Sequence, residues 1–165
     1  MGHFPQPLTK VNHLDMFYPT CSMPQTREDT VMIQDRVFAW PADDKNAYHY
    51  GRPNPASEPK SCGLEIIDQL DEDDLSYEYN TIIAWRDTET GRVYVAQDSG
   101  CSCPTPFETF EKLSDLTLIA HASDAQDFVR TVNTENYDGS PTFPLRDVFR
   151  FISKIDAVLR GETPV

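Results

Sequence analysis

The middle of the chain alternates. In YEYNTIIAWRD (77–87), Tyr77, Tyr79, Thr81, Ile83 and Trp85 recur at every second position, the period of a strand that buries one face. TETG (88–91) supplies a turn, and RVYVAQD (92–98) returns with Val93, Val95 and Gln97 opposite Tyr94 and Ala96. This pattern predicts a β-hairpin with Gly91 taking the positive φ that its turn requires. GLEIIDQL (63–70) reads as a further strand, which extends the hairpin to a three-stranded meander.

Past residue 100 the period lengthens. Thr105, Pro106 and Glu108 stand where the N-cap, N1 and N3 residues of a helix belong. Phe107, Phe110 and Leu113 follow at helical spacing. A second helix is predicted from Ser123, with Gln126 three residues on and Phe128, Val129 and Val132 as its apolar stripe. The best-marked helix opens at Pro144 and closes at Gly161. Its Leu145, Val148, Phe149, Ile152, Ile155 and Leu159 fall within about 120° of arc at about 100° per residue, with Asp156 a polar intrusion. Arg146, Arg150, Lys154 and Arg160 make a neighbouring basic arc. That arc faces either the carboxylates of residues 71–78, solvent or a partner.

The first sixty residues lack such order. Residues 1–30, rich in Pro, Thr, Ser and Asn, read as an irregular arm with Phe4, Leu8, Leu14, Phe17 and Tyr18 as anchors. TVMIQDRVFAW (30–40) suits a strand or extended segment. Residues 41–61 carry four prolines and read as a long loop, either a binding loop or a mobile excursion. The fold expected is α+β: a small antiparallel meander packed against two or three C-terminal helices. The arm spans 1–30, and a single domain fills 31–165.

Length and charge narrow the functions. A chain of 165 residues buries a core without metals or disulfides. No stretch approaches the roughly 18 apolar residues of a membrane helix, and MGHFPQPLTK lacks the apolar core of a secretory signal. A cytoplasmic location is therefore expected. The net charge is −13, and residues 61–115 hold 13 acidic groups against 3 basic ones. Direct nucleic-acid binding is disfavoured, because affinity for phosphates comes from Lys and Arg that displace counterions. Asp71, Glu72, Asp73, Asp74 and Glu78 are the candidate interaction surface. Their run lacks the alternating oxygens of a calcium loop.

Cys101 and Cys103 sit one residue apart in DSGCSCPTPFETF (98–110). With Cys62 and His121 they form a candidate cluster, open to three readings. Zinc requires all four to converge, and the one-residue gap is shorter than usual zinc spacing. A disulfide is better formed by Cys62 with either partner, since adjacent strand ends would bring them together, than by the strained Cys101–Cys103 ring. A nucleophile reading takes Cys103 at a helix start, His121 or His49 as base and Asp98 as its orienting group. The plainer alternative makes the cysteines structural. No phosphate-binding, dinucleotide or nucleophile-elbow motif is present, and no cofactor is expected.

YEYNTIIAWRDTETGRVYVAQDSGCSCPTPFE (77–108) resembles a segment of small proteins encoded by phages of actinobacteria. The shared features are Trp85, the Thr90–Gly91 turn, and D-S-G-C-S-C-P-x-P-F from Asp98 to Phe107. The resemblance implies a phage accessory protein in the bacterial host cytoplasm and assigns no catalytic residue. The function expected is non-enzymatic binding of a host or phage protein through an acidic surface or loop. The alternatives are a nucleic-acid mimic that occupies a basic DNA-binding protein, and a small cysteine-dependent or zinc enzyme using Cys101/Cys103 and His121.

Overall fold

A computed structural model describes residues 35–40, 51–72, 77–101, 103, 105–134 and 139–162. The chain divides into two units, Met1–Ile33 and Gln34–Val165, and every described residue belongs to the second. The expected arm and its anchors, His49, residues 41–50, Asp73 and Asp74 lie outside the described residues.

The fold is α+β. Strands β1 (Leu64–Asp71), β2 (Glu78–Asp87), β3 (Val93–Cys101) and β4 (Thr117–Ile119) form one antiparallel sheet in sequence order. Helices α1 (Ala122–Val132) and α2 (Leu145–Leu159) follow. The meander gains a fourth strand over the expected three, formed by TLI and paired to the start of β3. In the β2–β3 turn, Gly91 has φ +72°. The Asp87 carboxylate accepts the N–H groups of Glu89 (2.8 Å) and Thr90 (3.3 Å), a side-chain turn of the kind Asp supports.

The sheet is buried on both faces, where alternation predicted one. Ile82, Ala84, Val93, Val95, Leu70 and Ile119 meet the helices through Ala125, Val129, Val148, Phe151 and Ile155. On the reverse face Leu64, Ile83, Trp85, Tyr94 and Ala96 lie under irregular chain that contributes Phe38, Cys62, Phe107 and Leu113. The runs TIIAW and VYVA are continuous, and continuity signals two covered faces. β1 changes face partway: its register shifts between Ile66 and Asp68. That bulge sends Leu64 into one core and Leu70 into the other.

The described part of the long loop (51–61) is neither a free binding loop nor an excursion. Pro53 and Pro55 are buried, the Trp85 indole N–H donates to the Pro55 carbonyl (2.9 Å), and Pro59–Cys62 forms a turn of 3-10 helix. Of the strand expected at 30–40, the described residues keep a single bridge between Val37 and Lys112. It brings Phe38 over the sheet.

Three helix expectations are corrected. No helix follows Thr105: Pro106–Thr109 is a turn, and Phe107 has φ +61°, outside helical space. Glu108 does accept the Thr105 N–H (3.1 Å), so the cap chemistry is present but closes a turn. Phe107, Phe110 and Leu113 still reach one core. Helix α1 starts at Ala122 rather than after Ser123, because the Asp124 carboxylate accepts the N–H groups of Ala120 (3.0 Å) and His121 (2.9 Å). Those bonds hold Asp124 below the ordinary carboxylate range.

Helix α2 has the expected caps but a turned face. Val148, Phe151 and Ile155 are buried, with Ile152, Val158 and Leu159 packed beside them. Leu145 and Phe149 are 61% and 67% exposed. The buried arc is rotated by about 60° from the predicted one at 100° per residue. Asp156 thereby leaves the apolar face and pairs with Arg160. Among the described residues the basic arc meets β1: Arg150 (3.1 Å) and Lys154 (3.3 Å) both contact Asp68, while Asp73 and Asp74 of the expected acidic partner lie outside the described residues.

Candidate functional site

The first and last residues of β2, Glu78 and Asp87, lie at opposite ends of the sheet. Glu78 pairs with Cys101, whereas Asp87 pairs with Leu64. Cys62 lies two residues before Leu64, so the length of β2, nine steps of ~3.3 Å or roughly 30 Å, separates it from Cys101. In an antiparallel meander the start of the first strand and the end of the third cannot share an end. The expected meeting of these strand ends is therefore corrected. His121 follows β4, whose Ile119 pairs with Val93 at the start of β3, so it too lies away from Cys101. It caps α1 and is exposed, whereas Cys62 is buried in the loop-covered core.

The four-residue cluster thus does not assemble. Among the described residues no three His, Cys, Asp or Glu side chains are grouped to hold a metal, and Cys62, Cys101 and Cys103 are free thiols. Cys62 is 2% exposed, its thiol donates to the Pro53 carbonyl (3.5 Å), and burial pushes its pKa up to about 12. It is a core residue. Cys103 has no helix N-terminus behind it, since Pro106–Thr109 is a turn.

Asp98, expected to orient a histidine, has another role. One of its carboxylate oxygens accepts both the Tyr79 hydroxyl (3.1 Å) and the Phe107 N–H (2.6 Å). Burial first, then the bond to Asp98, raises the Tyr79 phenol above its ordinary value, which keeps it a donor. The Tyr79 ring lies over Gly100, where an added Cβ would stand 3.2 Å from its hydroxyl oxygen. Phe107 plugs into Trp85 edge-on, with centroids 5.3 Å apart. Asp98, Gly100 and Phe107 therefore close the base of a loop that presents Cys101 and Cys103 to solvent.

Beside this loop stands the acidic end of the sheet. Glu72, Glu78, Tyr79, Asn80, Ser99, Gly100 and Cys101 line a shallow depression of about 430 Å³. Gln69 donates an amide N–H to Asp71 (2.7 Å) and Asn80 to Glu72 (2.9 Å), and Gln97 in turn donates to Asn80 (2.7 Å). Neutral amides orient these carboxylates without cancelling their charge. None of Asp71, Glu72 and Glu78 forms an ion pair among the described residues. Tyr77, 80% exposed, adjoins Glu78, whereas alternation alone places it on the buried face. Its position just before the first ladder pair, next to the charge run, is the signal that distinguishes it.

Residues 53–155 match the family described as "Domain of unknown function (DUF7574)", more than half of the 165-residue chain. The chain belongs to this family. The DUF7574 segment runs from the loop that covers Trp85 to Ile155 of α2, and so contains the whole sheet, the thiol loop and the acidic end. No curated protein and no solved structure matches the chain.

Proposed function

We propose that this is a non-enzymatic phage accessory protein that binds a basic segment of a host or phage protein at the acidic end of its sheet. The observation that carries the reading is Tyr77, an exposed aromatic residue next in sequence to Glu78, which lines one depression with Glu72, at the end of the sheet where β1 closes on Asp71. Neutral amides hold Asp71 and Glu72 in place, and none of the three carboxylates is matched by an ion pair among the described residues. Aromatic side chains dominate interface energetics, and complementary charge speeds and selects the encounter. Elsewhere Asp68, Asp87, Asp147 and Asp156 are matched by Arg or Lys of the same chain. The phage setting and the host cytoplasm belong to the same proposal and rest on the resemblance of residues 77–108.

A nucleic-acid mimic is the weaker alternative, because these three carboxylates form a local cluster and not an array spaced like phosphates. The cysteine-enzyme alternative loses its support with the separation of Cys62 and His121 from the thiol loop.

Affinity capture from host lysate tests the proposal. The wild-type chain is expected to retain a partner that elutes as salt is raised. Tyr77→Ala with Glu72→Gln and Glu78→Gln should lose it, with Tyr77→Ala alone costing about 2 kcal/mol. Equal recovery of the same protein by the triple variant overturns the assignment of the surface.

A further inference from the structure

We infer that Cys101 and Cys103 form a two-sulfur site for Cu(I). Both thiols are free and exposed, and neither belongs to either core. Packing accounts for Cys62 but not for them. The loop that carries them is pinned at its base by the Asp98–Phe107 bond and by the Tyr79 ring on Gly100. The Cys101 thiol donates to the Cys103 carbonyl oxygen at 3.2 Å. The first sulfur is thus already held against the second residue.

Donor chemistry selects the ligand. Thiolates are soft and favour Cu(I), zinc and iron–sulfur clusters. Structural zinc takes four ligands, and among the described residues no group of three or more His, Cys, Asp and Glu is present. Cu(I) is satisfied by two sulfurs. A bridging ion also spans the two sulfurs without the strain of a direct bond in so small a ring. Glu72 and Glu78, which line the same depression as Cys101, draw cations toward it. On binding, each thiol gives its proton to solvent as a sulfur–copper bond forms, and copper stays monovalent. Glu72 and Glu78 are shared with the proposed partner surface, but the ligands are the two thiols alone, so loss of copper binding in the cysteine variants would leave the Tyr77 reading untouched.

Anaerobic titration of the reduced full-length chain with Cu(I), against a chromophoric Cu(I) chelator, tests the inference. One copper per chain is expected. Cys101→Ser and Cys103→Ser should each weaken binding by at least the roughly 10–100-fold that loss of an outer-shell partner costs, with circular dichroism unchanged. Cys21, the fourth cysteine of the chain, lies outside the described residues, and Cys21→Ser should bind as the wild type does. The inference is overturned if no copper is retained, if either Cys101→Ser or Cys103→Ser binds as tightly as the wild type, or if binding depends on Cys21.

Discussion

Asp98 joins two segments that nothing local connects. Its carboxylate receives the Phe107 N–H from nine residues away and the Tyr79 hydroxyl from the neighbouring strand. This bond helps hold Phe107 at φ +61°, a conformation that costs an L-residue about 1–2 kcal/mol. Complete burial of the Phe107 ring, about 1.5–3 kcal/mol, offsets that cost. Asp98→Ala should therefore lower stability by about 1–3 kcal/mol in urea melts, and Asp98→Asn, which keeps an acceptor oxygen, by less. An Asp98→Ala transition that superimposes on the wild type would remove Asp98 as the tie. The junction itself was legible, since Gly100 and the Thr105–Glu108 cap stand in the sequence. The cap was not decisive, because Glu108 satisfies the Thr105 N–H equally well in a turn.

Helix α2 illustrates how much an amphipathic pattern leaves open. Apolar residues cover so wide an arc that two overlapping faces satisfy it, one centred near Ile152 and the other near Ile155. The sheet decides between them: Phe151 enters the core, and Asp68, turned to that face by the bulge in β1, takes Arg150 and Lys154. Phe151→Ala is expected to cost about 3–5 kcal/mol, and Phe149→Ala no more than about 0.5 kcal/mol, both read from denaturant midpoints. Equal losses would refute the observed rotation. The bulge had no clear local cue, since GLEIIDQL is an acceptable regular strand.

Across the whole molecule, Asp87 ties the hairpin turn to the segment at 35–40 through Arg36 (3.2 Å). Burial alone would raise its carboxyl, but the N–H of Glu89, the Arg36 guanidinium and the N–H of Thr90 outweigh it and hold the group below the ordinary range. A carboxylate depressed in the folded state contributes stability above the unfolded pKa, near 4, and loses it as pH falls through the lower folded value. Stability measured from pH 5 to pH 2 should accordingly fall, and Asp87→Asn should be less stable at pH 7 with a shallower acid slope. An unchanged slope would assign the acid sensitivity to other carboxylates.

Strands β1 to β3, the hairpin turn at Gly91 and the two C-terminal helices were written into residues close along the chain, because alternation, turn chemistry and capping act over a few positions. The second covered face of the sheet, the rotation of α2 and the turn at Phe107 depended on residues distant in sequence. So did the thiol cluster. Cys62 and Cys101 flank the meander in sequence, and antiparallel pairing then sends them to opposite ends of it. Among the described cysteines that leaves Cys101 and Cys103 together on a pinned loop beside an acidic edge.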